Sequence, residues 1–434
     1  MAAHSSSRGS RRGFFKGSLG LAASAALSNR LFASGNGPLS IDSVEPVVIR
    51  SPRGEKPPEW YIEMPPVGHA TGGAGLWNRL DHASPSRFRG ATQATLVKIT
   101  TKDGLVGWGE CHAPAAPRVH AAVISDLLAP ILIGQDARQV EPLWEKLYSS
   151  QRLRGYATGF YTESIAGVDL ALWDLLGKYL GQPLYRILGG KYRDAVPTYA
   201  GIGGSTPEAL AASARQQLDR GFAAVKMGLS KGPGTASVER VEAVSRAIGD
   251  KGQLLVDSLG AYKVHEARAV GERLDALPNI GWWEDALLPE DIAGYSELKA
   301  ALKTPLCAGE TFSNRYQFRD LFAARAVDMV NPDLCRAGGV TECRRIAILA
   351  DLHGVLFSPH ISTGTALYWA ASAHLAAHLP NTVIMEGGTL LDRPFGNAIL
   401  REPLAARPGA AMVPERAGIG AEFDEEALAA YRVA

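Results

Sequence analysis

Acidic side chains recur at the ends of apolar segments in the C-terminal half of the sequence. Leu254, Leu255 and Val256 form an apolar run typical of a buried parallel strand, and an aspartate ends it. Similar runs follow at intervals of 23 to 27 residues, and they end on Asp257, Glu284, Glu310, Asp333, His360 and Glu386. Carboxylates brought together in a protein repel one another unless a cation neutralises them. Successive acids with no His or Cys among them favour a hard, octahedral ion, so Mg²⁺ or Mn²⁺ is the predicted cofactor of the acid trio Asp257, Glu284 and Glu310.

The later segment ends supply a candidate base. Asp333 closes "DMVNPD" and His360 closes "VLFSPH". An Asp beside a His fixes the imidazole tautomer and raises its basicity, which predicts a positioned general base. Lys226 ends the second apolar run in "AAVKMG", which places it at the end of a strand. It could act as a second base or as a cation that holds a substrate carboxylate. Together these groups indicate removal of a proton α to a carboxylate, assisted by a divalent cation.

A repeating pattern of strands and helices must position these groups. From residue 196 onward, short apolar runs alternate with helical segments such as "ERVEAVSRAIGD". Eight such alternations over about 190 residues predict a parallel (β/α)8-type barrel, whose carboxyl strand ends meet at one rim. The predicted strands are "VPTYAGI", "FAAVKMG", "LLVDS", "GWWED", "PLCAGE", "DMVNPD", "VLFSPH" and "VIMEGG".

The preceding half of the chain has a different character. Residues 40–112 indicate β structure, and "ATLVKITTKDGLVGWGE" predicts a hairpin that turns at Asp103-Gly104. Residues 119–189 indicate helices, one of which ends at Gly181. Residues 51–90 predict one or more long loops, and loops of this length are usually functional or disordered. Their candidate side chains are Trp60, His69, Trp77, Arg79, His82, Arg87 and Arg89.

The first 33 residues predict export. Arg11 and Arg12 precede Phe14, Phe15 and Lys16, and a weakly apolar segment follows, as in a twin-arginine signal peptide. A disordered basic arm is the alternative. This segment holds five Lys/Arg and no acid, so the formal net charge of +1 becomes −4 without it. We therefore expect a periplasmic protein with no basic patch for nucleic acid.

Other partners and cofactors are limited by composition. No run of 18 apolar residues occurs, so we expect no stable membrane association after export. The cysteines form no CxxC motif or Cys/His cluster and indicate ordinary buried thiols. They are Cys111, Cys307, Cys335 and Cys343.

Taken together, these segments resemble the mandelate racemase/muconate lactonizing enzyme group of the enolase superfamily. The resemblance spans residues 40–425 and rests on the acid trio together with "VKITTKDGLVGWGE", "GVDLALWDLLGKYLGQPLYRILGG", "NPDLCRAGGVTE" and "SPHISTG". It implies an α/β fold with an α+β capping domain over a modified TIM barrel, (β/α)7β, Mg²⁺ dependence and a homo-oligomer. It also implies that capping-domain loops, here residues 51–90, largely set substrate specificity, and that residues 392–434 return to the capping domain. With the predicted signal peptide at 1–33, the predicted divisions are a capping domain at 40–165, the barrel at 166–391 and the C-terminal segment at 392–434.

The chain departs from this family at two positions. The family's second strand commonly ends Lys-x-Lys, with the second lysine as a base, whereas here the segment reads Lys226-Met227-Gly228. After the first metal ligand the family usually has Asp-x-Asn, whereas here Leu259 follows Ser258. A racemase needs an acid–base group on each face of the α-carbon, so the glycine favours a dehydratase.

The expected activity is therefore that of a Mg²⁺-dependent hydro-lyase acting on a small sugar acid. His360, oriented by Asp333, would take the α-proton, and loss of water would give a 2-keto-3-deoxy acid. Glu386 would bind a substrate hydroxyl or the enediolate, and Arg336 would support the dyad and contribute to substrate binding. Two alternatives stay open: a racemase or epimerase that uses Lys226 as its second base, and a non-catalytic periplasmic sugar-acid binder.

Overall fold

A three-stranded antiparallel sheet begins the fold. The computed structural model describes residues 38–51, 93–113, 116–229, 237–362, 364–387 and 394–433. The strands pair in the order β1–β2–β3, and the hairpin predicted at Asp103-Gly104 is confirmed. Gly104 turns it with a φ of 81°, in the left-handed region that glycine adopts without strain. The strands are β1 (Ile41–Arg50), β2 (Gln93–Thr101) and β3 (Val106–Cys111).

Two groups of predicted residues lie outside the described residues. These are the signal segment at 1–33 and the seven candidate specificity side chains between Trp60 and Arg89. Their roles stay predictions.

Helices follow the sheet, as the sequence predicts. They are α1 (Pro117–Val123), α2 (Ala129–Leu132), α3 (Val140–Arg152), α4 (Phe160–Leu180) and α5 (Leu184–Ile187), with a π-helical turn at Ile124–Leu128. Gly181 ends α4 with a φ of 63°, which confirms the predicted stop. Within the described ranges, no helix is both long and apolar enough to cross a membrane.

The long helix α4 packs closely on the sheet. A Cβ added at Gly109 of β3 would lie 1.9 Å from the carbonyl oxygen of Gly167, so only glycine permits this approach. The helix also runs across the predicted domain boundary at 165/166. The domain boundaries therefore stay predictions.

Eight parallel strands form the barrel, and each contains part of one predicted strand. They pair in chain order from the first to the seventh, and the eighth returns to pair with the first. Phe357 in the seventh strand pairs with Thr382, just before the eighth, and completes the ring. The strands are β4 (Ala195–Gly201), β5 (Ala224–Gly228), β6 (Gln253–Asp257), β7 (Ile280–Glu284), β8 (Leu306–Ala308), β9 (Met329–Val330), β10 (Leu356–Phe357) and β11 (Met385–Glu386).

Seven helices connect these strands, which gives the (β/α)7β arrangement. They are α6 (Pro207–Asp219), α7 (Val238–Ile248), α8 (Val264–Leu274), α9 (Ile292–Ala301), α10 (Arg315–Ala323), α11 (Gly339–Leu352) and α12 (Ala366–His378). The predicted α/β fold class is confirmed.

Apolar side chains form a floor beneath the strand ends. Trp282 lies two residues before Glu284, and Leu255 two before Asp257, so each points to the same side of its strand as the acid. The rings of Trp282 and Tyr199 meet edge to face at 5.7 Å. The buried cluster is Tyr199, Ala224, Leu255, Trp282, Cys307, Met329 and Ile384.

The last residues return to the antiparallel sheet. The Val433 N–H donates to the Val48 carbonyl at 2.9 Å, and the Arg50 N–H donates to the Tyr431 carbonyl at 2.9 Å. Residues 431–433 therefore pair with the outer edge of β1 at Val48–Arg50, whereas Gly134 and Gln135 pair with the same edge at Ile41. The elements of this segment are α13 (Pro394–Asn397), β12 (Ala406–Arg407), β13 (Ala410–Met412) and α14 (Glu425–Ala429).

A buried carboxylate on α4 makes the free energy of unfolding depend on pH. Asp169 accepts hydrogen bonds from the Thr341 N–H at 3.0 Å and the Thr341 hydroxyl at 2.5 Å, and burial raises the pKa of Asp169 to about 7. An acid whose pKa is higher in the folded state stabilises the fold fully below its unfolded pKa. It loses that contribution as the pH rises toward 7.

We therefore expect Asp169→Asn to flatten the fall in unfolding free energy between pH 4 and 7. The expected reduction in slope is of order 1 kcal/mol per pH unit. Urea unfolding in EDTA across this range measures it, with the exposed Asp103 changed to Asn as control. A variant with the slope of the parent protein would contradict the expectation.

Candidate active site

The acid trio meets at the carboxyl ends of three neighbouring strands. Asp257 ends β6, Glu284 ends β7 in register with it, and Glu310 follows β8 by two residues. One carboxylate oxygen from each lies within 4.8 Å of the others. Three acid oxygens at this spacing fit the predicted hard divalent cation, because such ions prefer oxygen ligands. When bound, the cation would stabilise negative charge that develops on a substrate carboxylate.

Neighbouring side chains hold Glu284 in place. Asn331 Nδ2 donates to its carboxylate at 2.8 Å and Trp282 Nε1 donates at 3.0 Å. Sequence reasoning missed both donors. The available signal was period-two spacing, since Asn331 precedes Asp333 by two residues as Trp282 precedes Glu284.

The site carries an excess of buried negative charge. Burial raises the pKa of Asp257 to about 6, and the repulsion of Glu284 adds to this shift. Burial also raises the pKa of Glu284. Asp285, which sequence reasoning did not single out, is buried beside them with a φ of 43°, and burial raises its pKa well above the ordinary value. Such charges favour a bound cation.

The predicted Asp–His dyad is formed. Asp333 Oδ2 lies 2.8 Å from Nδ1 of His360, and its Oδ1 accepts the Cys335 and Arg336 N–H groups at 2.8 and 3.2 Å. Burial alone would raise the pKa of Asp333. The hydrogen bond from His360, together with the nearby charges of His112, His360 and Arg336, outweighs burial and lowers this pKa to about 2. The ionised aspartate therefore keeps the proton on Nδ1 and leaves Nε2 to face the site.

Nε2 of His360 faces two further carboxylates. It lies 3.2 Å from Glu310 Oε2 and 3.8 Å from Glu386 Oε2. Burial opposes the charge of the imidazole, but Glu310, Asp333 and Glu386 outweigh burial and raise the His360 pKa to about 10. Neutralising Glu310 would bring this pKa down, toward the range in which a general base works.

Lys226 contacts the two members of the acid trio that His360 does not contact. The prediction that it ends its strand is wrong by two residues, because pairing with β6 continues to Gly228. Its Nζ lies 3.2 Å from Glu284 and 3.3 Å from Asp257. Burial opposes its charge, but Glu284 and the other carboxylates outweigh burial and raise the pKa of Lys226 well above the ordinary value. This arrangement favours the cationic role over the role of a base.

Gly228 leaves open space beside the trio. It pairs in register with Asp257, and a Cβ added there would meet no described atom within 4 Å. The position that commonly carries a second base in the resembling family therefore supplies no side chain here.

Glu386 and Arg336 complete the predicted set. Glu386 Oε2 accepts the Ile361 N–H at 3.1 Å, and its Oε1 lies 3.7 Å from Lys226 Nζ, so it stands between that lysine and His360. Arg336 donates to the Glu310 carbonyl at 3.1 Å and lies 3.2 Å from the ring nitrogens of His112. The substrate-binding role of both residues stays a prediction.

Comparisons with known proteins place the chain in a family. A profile described as the mandelate racemase/muconate lactonizing enzyme N-terminal domain matches residues 84–189, and an enolase C-terminal domain-like profile matches residues 209–427. The D-galactarolactone cycloisomerase of Agrobacterium fabrum is 36% identical over 376 residues, which are 82% of this chain and 97% of that protein. The chain belongs to the mandelate racemase/muconate lactonizing enzyme group of the enolase superfamily.

Two further relatives support the assignment of this protein to the enolase superfamily. The D-galactonate dehydratase of Verminephrobacter eiseniae is 34% identical, across 70% of this chain and 80% of that protein. The crystal structure of the 3,6-anhydro-D-galactonate cycloisomerase from Zobellia galactanivorans matches with a TM-score of 0.73 at 30% identity, covering 91% of this chain and 100% of that chain. The protein is therefore an enzyme, with the modified TIM barrel and capping domain of the enolase superfamily.

Proposed function

We propose that this enzyme is a Mg²⁺-dependent lyase that takes the α-proton of a sugar acid and eliminates water, giving a 2-keto-3-deoxy acid. The observation that carries the proposal is the asymmetry of the site. His360, oriented by Asp333, faces the acid trio, whereas Gly228 supplies no base and Lys226 is held as a cation by carboxylates. One base suffices for elimination, whereas racemisation needs two. The dehydratases among the relatives support the same reading.

Each group has a defined task in the proposed reaction. Asp257, Glu284 and Glu310 would hold Mg²⁺ or Mn²⁺ beside the substrate carboxylate. Nε2 of His360 accepts the α-proton, and Asp333 stabilises the resulting imidazolium. The imidazolium then returns a proton to the departing 3-hydroxyl, water leaves, and the enol ketonises. Lys226 would hold the substrate carboxylate, and Glu386, whose Oε1 lies 3.7 Å from Lys226 Nζ, would bind a substrate hydroxyl.

A second candidate differs only in the leaving group. The cycloisomerases among the relatives are named for a galactaric acid lactone and for 3,6-anhydro-D-galactonate, which both contain rings. The same α-proton transfer would open such a ring if a ring oxygen left in place of a hydroxyl. The product would then have the mass of the substrate, because no water is released.

Substrate screening in deuterated water tests the proposal. Aldonic acids, aldaric acids and their lactones would be incubated with enzyme and Mg²⁺, and 2-keto acids detected as semicarbazones. We expect a keto acid that has lost water and carries deuterium at C3. A ring opening would give a keto acid without loss of water. Epimers with deuterium at the α-carbon and no keto acid, or no turnover by metal-loaded enzyme, would contradict the proposal.

The cellular setting is part of the same proposal. Export by the twin-arginine route to the periplasm follows from residues 1–33 of the sequence alone. Assembly into a homo-oligomer is likewise an expectation drawn from the family.

A further inference from the structure

The carboxyl end of β3 lies against both loops that carry the Asp–His dyad. Glu110 and His112 are two residues apart on this strand end and are 1% and 7% exposed. One contacts the loop after His360, and the other contacts the loop after Asp333. Neither takes part in the proton transfer described above.

Glu110 holds the loop that follows His360. Its carboxylate accepts the Thr365 N–H at 3.0 Å and the Thr365 hydroxyl at 2.5 Å. Thr365 caps the N-terminus of α12 and comes five residues after His360. A Cβ added at Gly364 would lie 2.6 Å from Glu110 Oε1, so the loop backbone touches this carboxylate. The position of the loop therefore depends on Glu110.

His112 holds the loop that follows Asp333. Its backbone N–H donates to the Cys335 carbonyl at 3.1 Å, and the Cys335 N–H donates to Asp333 Oδ1 at 2.8 Å. The His112 ring lies 3.2 Å from the Arg336 guanidinium. One strand end is thus joined by hydrogen bonds to Asp333 through Cys335, and to the segment that follows His360 through Thr365.

We propose that Glu110 is a positioning residue for catalysis, which fixes the loop of His360 relative to the loop of Asp333 through β3. The inference rests on the proposed role of His360 as the base. The linkage keeps Nδ1 of His360 at 2.8 Å from Asp333 while Nε2 faces the acid trio. Misplacing a base by about 1 Å can cost about a hundredfold in rate, so a small shift of the loop would be visible in kcat.

Asp169 is a matched control for Glu110, because it makes the same kind of buried contact away from the loop of His360. Asp169 accepts hydrogen bonds from the Thr341 N–H at 3.0 Å and from its hydroxyl at 2.5 Å. Glu110 accepts the corresponding bonds from Thr365 at the same two distances. Both carboxylates are buried, and burial raises the pKa of each to about 7. Thr341, however, lies inside α11 and not on the loop of His360.

Kinetics of four variants test the proposal. We expect Glu110→Gln and Thr365→Val to lower kcat about tenfold to a hundredfold, with KM and the Mg²⁺ Kd changed by less than about threefold. Thr365→Ser keeps the hydroxyl and should restore most of kcat. Asp169→Asn should leave kcat within about twofold of the parent enzyme, because Thr341 takes no part in the hydrogen bonds that join β3 to Cys335 and Thr365. Thermal unfolding of each variant reports that it folds.

A substrate-independent measurement separates this inference from the proposed function. The imidazole Nδ1–H resonance of His360 reports its hydrogen bond to Asp333 by NMR, with His360→Asn giving the assignment. It should shift or broaden in Glu110→Gln and stay unchanged in Asp169→Asn, even if no sugar acid proves to be a substrate. An unchanged resonance with unchanged kcat in Glu110→Gln, or equal changes in Asp169→Asn, would overturn the inference.

Discussion

Replacing His360 with asparagine should lower kcat on the sugar-acid substrate by between about 10² and 10⁴-fold, the range for loss of a general base. The asparagine amide can still donate a hydrogen bond to Asp333, but it has no nitrogen that accepts a proton. Exchange of the α-proton with deuterated water should be lost together with turnover. Steady-state kinetics and NMR-monitored exchange measure the two effects.

An exposed histidine provides the control for this variant. His265→Asn changes the same residue type on α8 and should keep the parent rate. The Mg²⁺ affinity of His360→Asn should remain within about tenfold, because the acid trio is intact. Undiminished turnover in His360→Asn would remove the imidazole from the mechanism and return Lys226 to consideration as the base.

Replacing Asp257 with asparagine should change stability in opposite directions with and without metal. Burial raises the pKa of this acid to about 6, so above that pH its charge opposes folding when no cation is bound. In EDTA at pH 8 the variant should be more stable than the parent by about 1 to 3 kcal/mol. With Mg²⁺ present the order should reverse, because the variant loses a charged ligand and about a hundredfold or more in affinity.

Calorimetric Mg²⁺ titration and thermal unfolding in EDTA and in Mg²⁺ measure these effects. Asp250→Asn is the matched control, since Asp250 is exposed in the turn before β6 and should leave both quantities unchanged. A variant that binds Mg²⁺ as tightly as the parent would show that the acid trio is not the metal site.

The barrel and its rim were predictable because they follow from local patterns. Each strand is a short apolar run, and its length fixes where the chain reaches the rim. Asp257 and Glu284 therefore meet in register, as their positions in the sequence predict. The dyad was predictable in part, since Asp333 and His360 follow the neighbouring strands β9 and β10 by three residues each and pair with one another across a β-bridge. Their predicted places at the strand ends were wrong by those three residues.

The supporting contacts were not predictable, because they join segments far apart in the chain. Glu110 and Thr365 are separated by 255 residues, and no periodicity relates them. Lys226 shows a different limit of prediction from the sequence, which concerns where a strand ends. Its predicted place at the strand end was wrong, because the charged side chain does not end the strand and pairing with β6 extends to Gly228, as the predicted run "FAAVKMG" allows. Burial of Asp285 likewise depends on the packed barrel and not on its own segment.

Residues 431–433 pair with Val48–Arg50 of β1, although almost the whole described chain separates the two segments. Synthesis proceeds from the N-terminus, so this end of β1 is made long before its outer partner. Until that partner arrives, the unpaired strand edge can pair with other chains. A contact between segments so distant in sequence also raises the contact order, which slows folding.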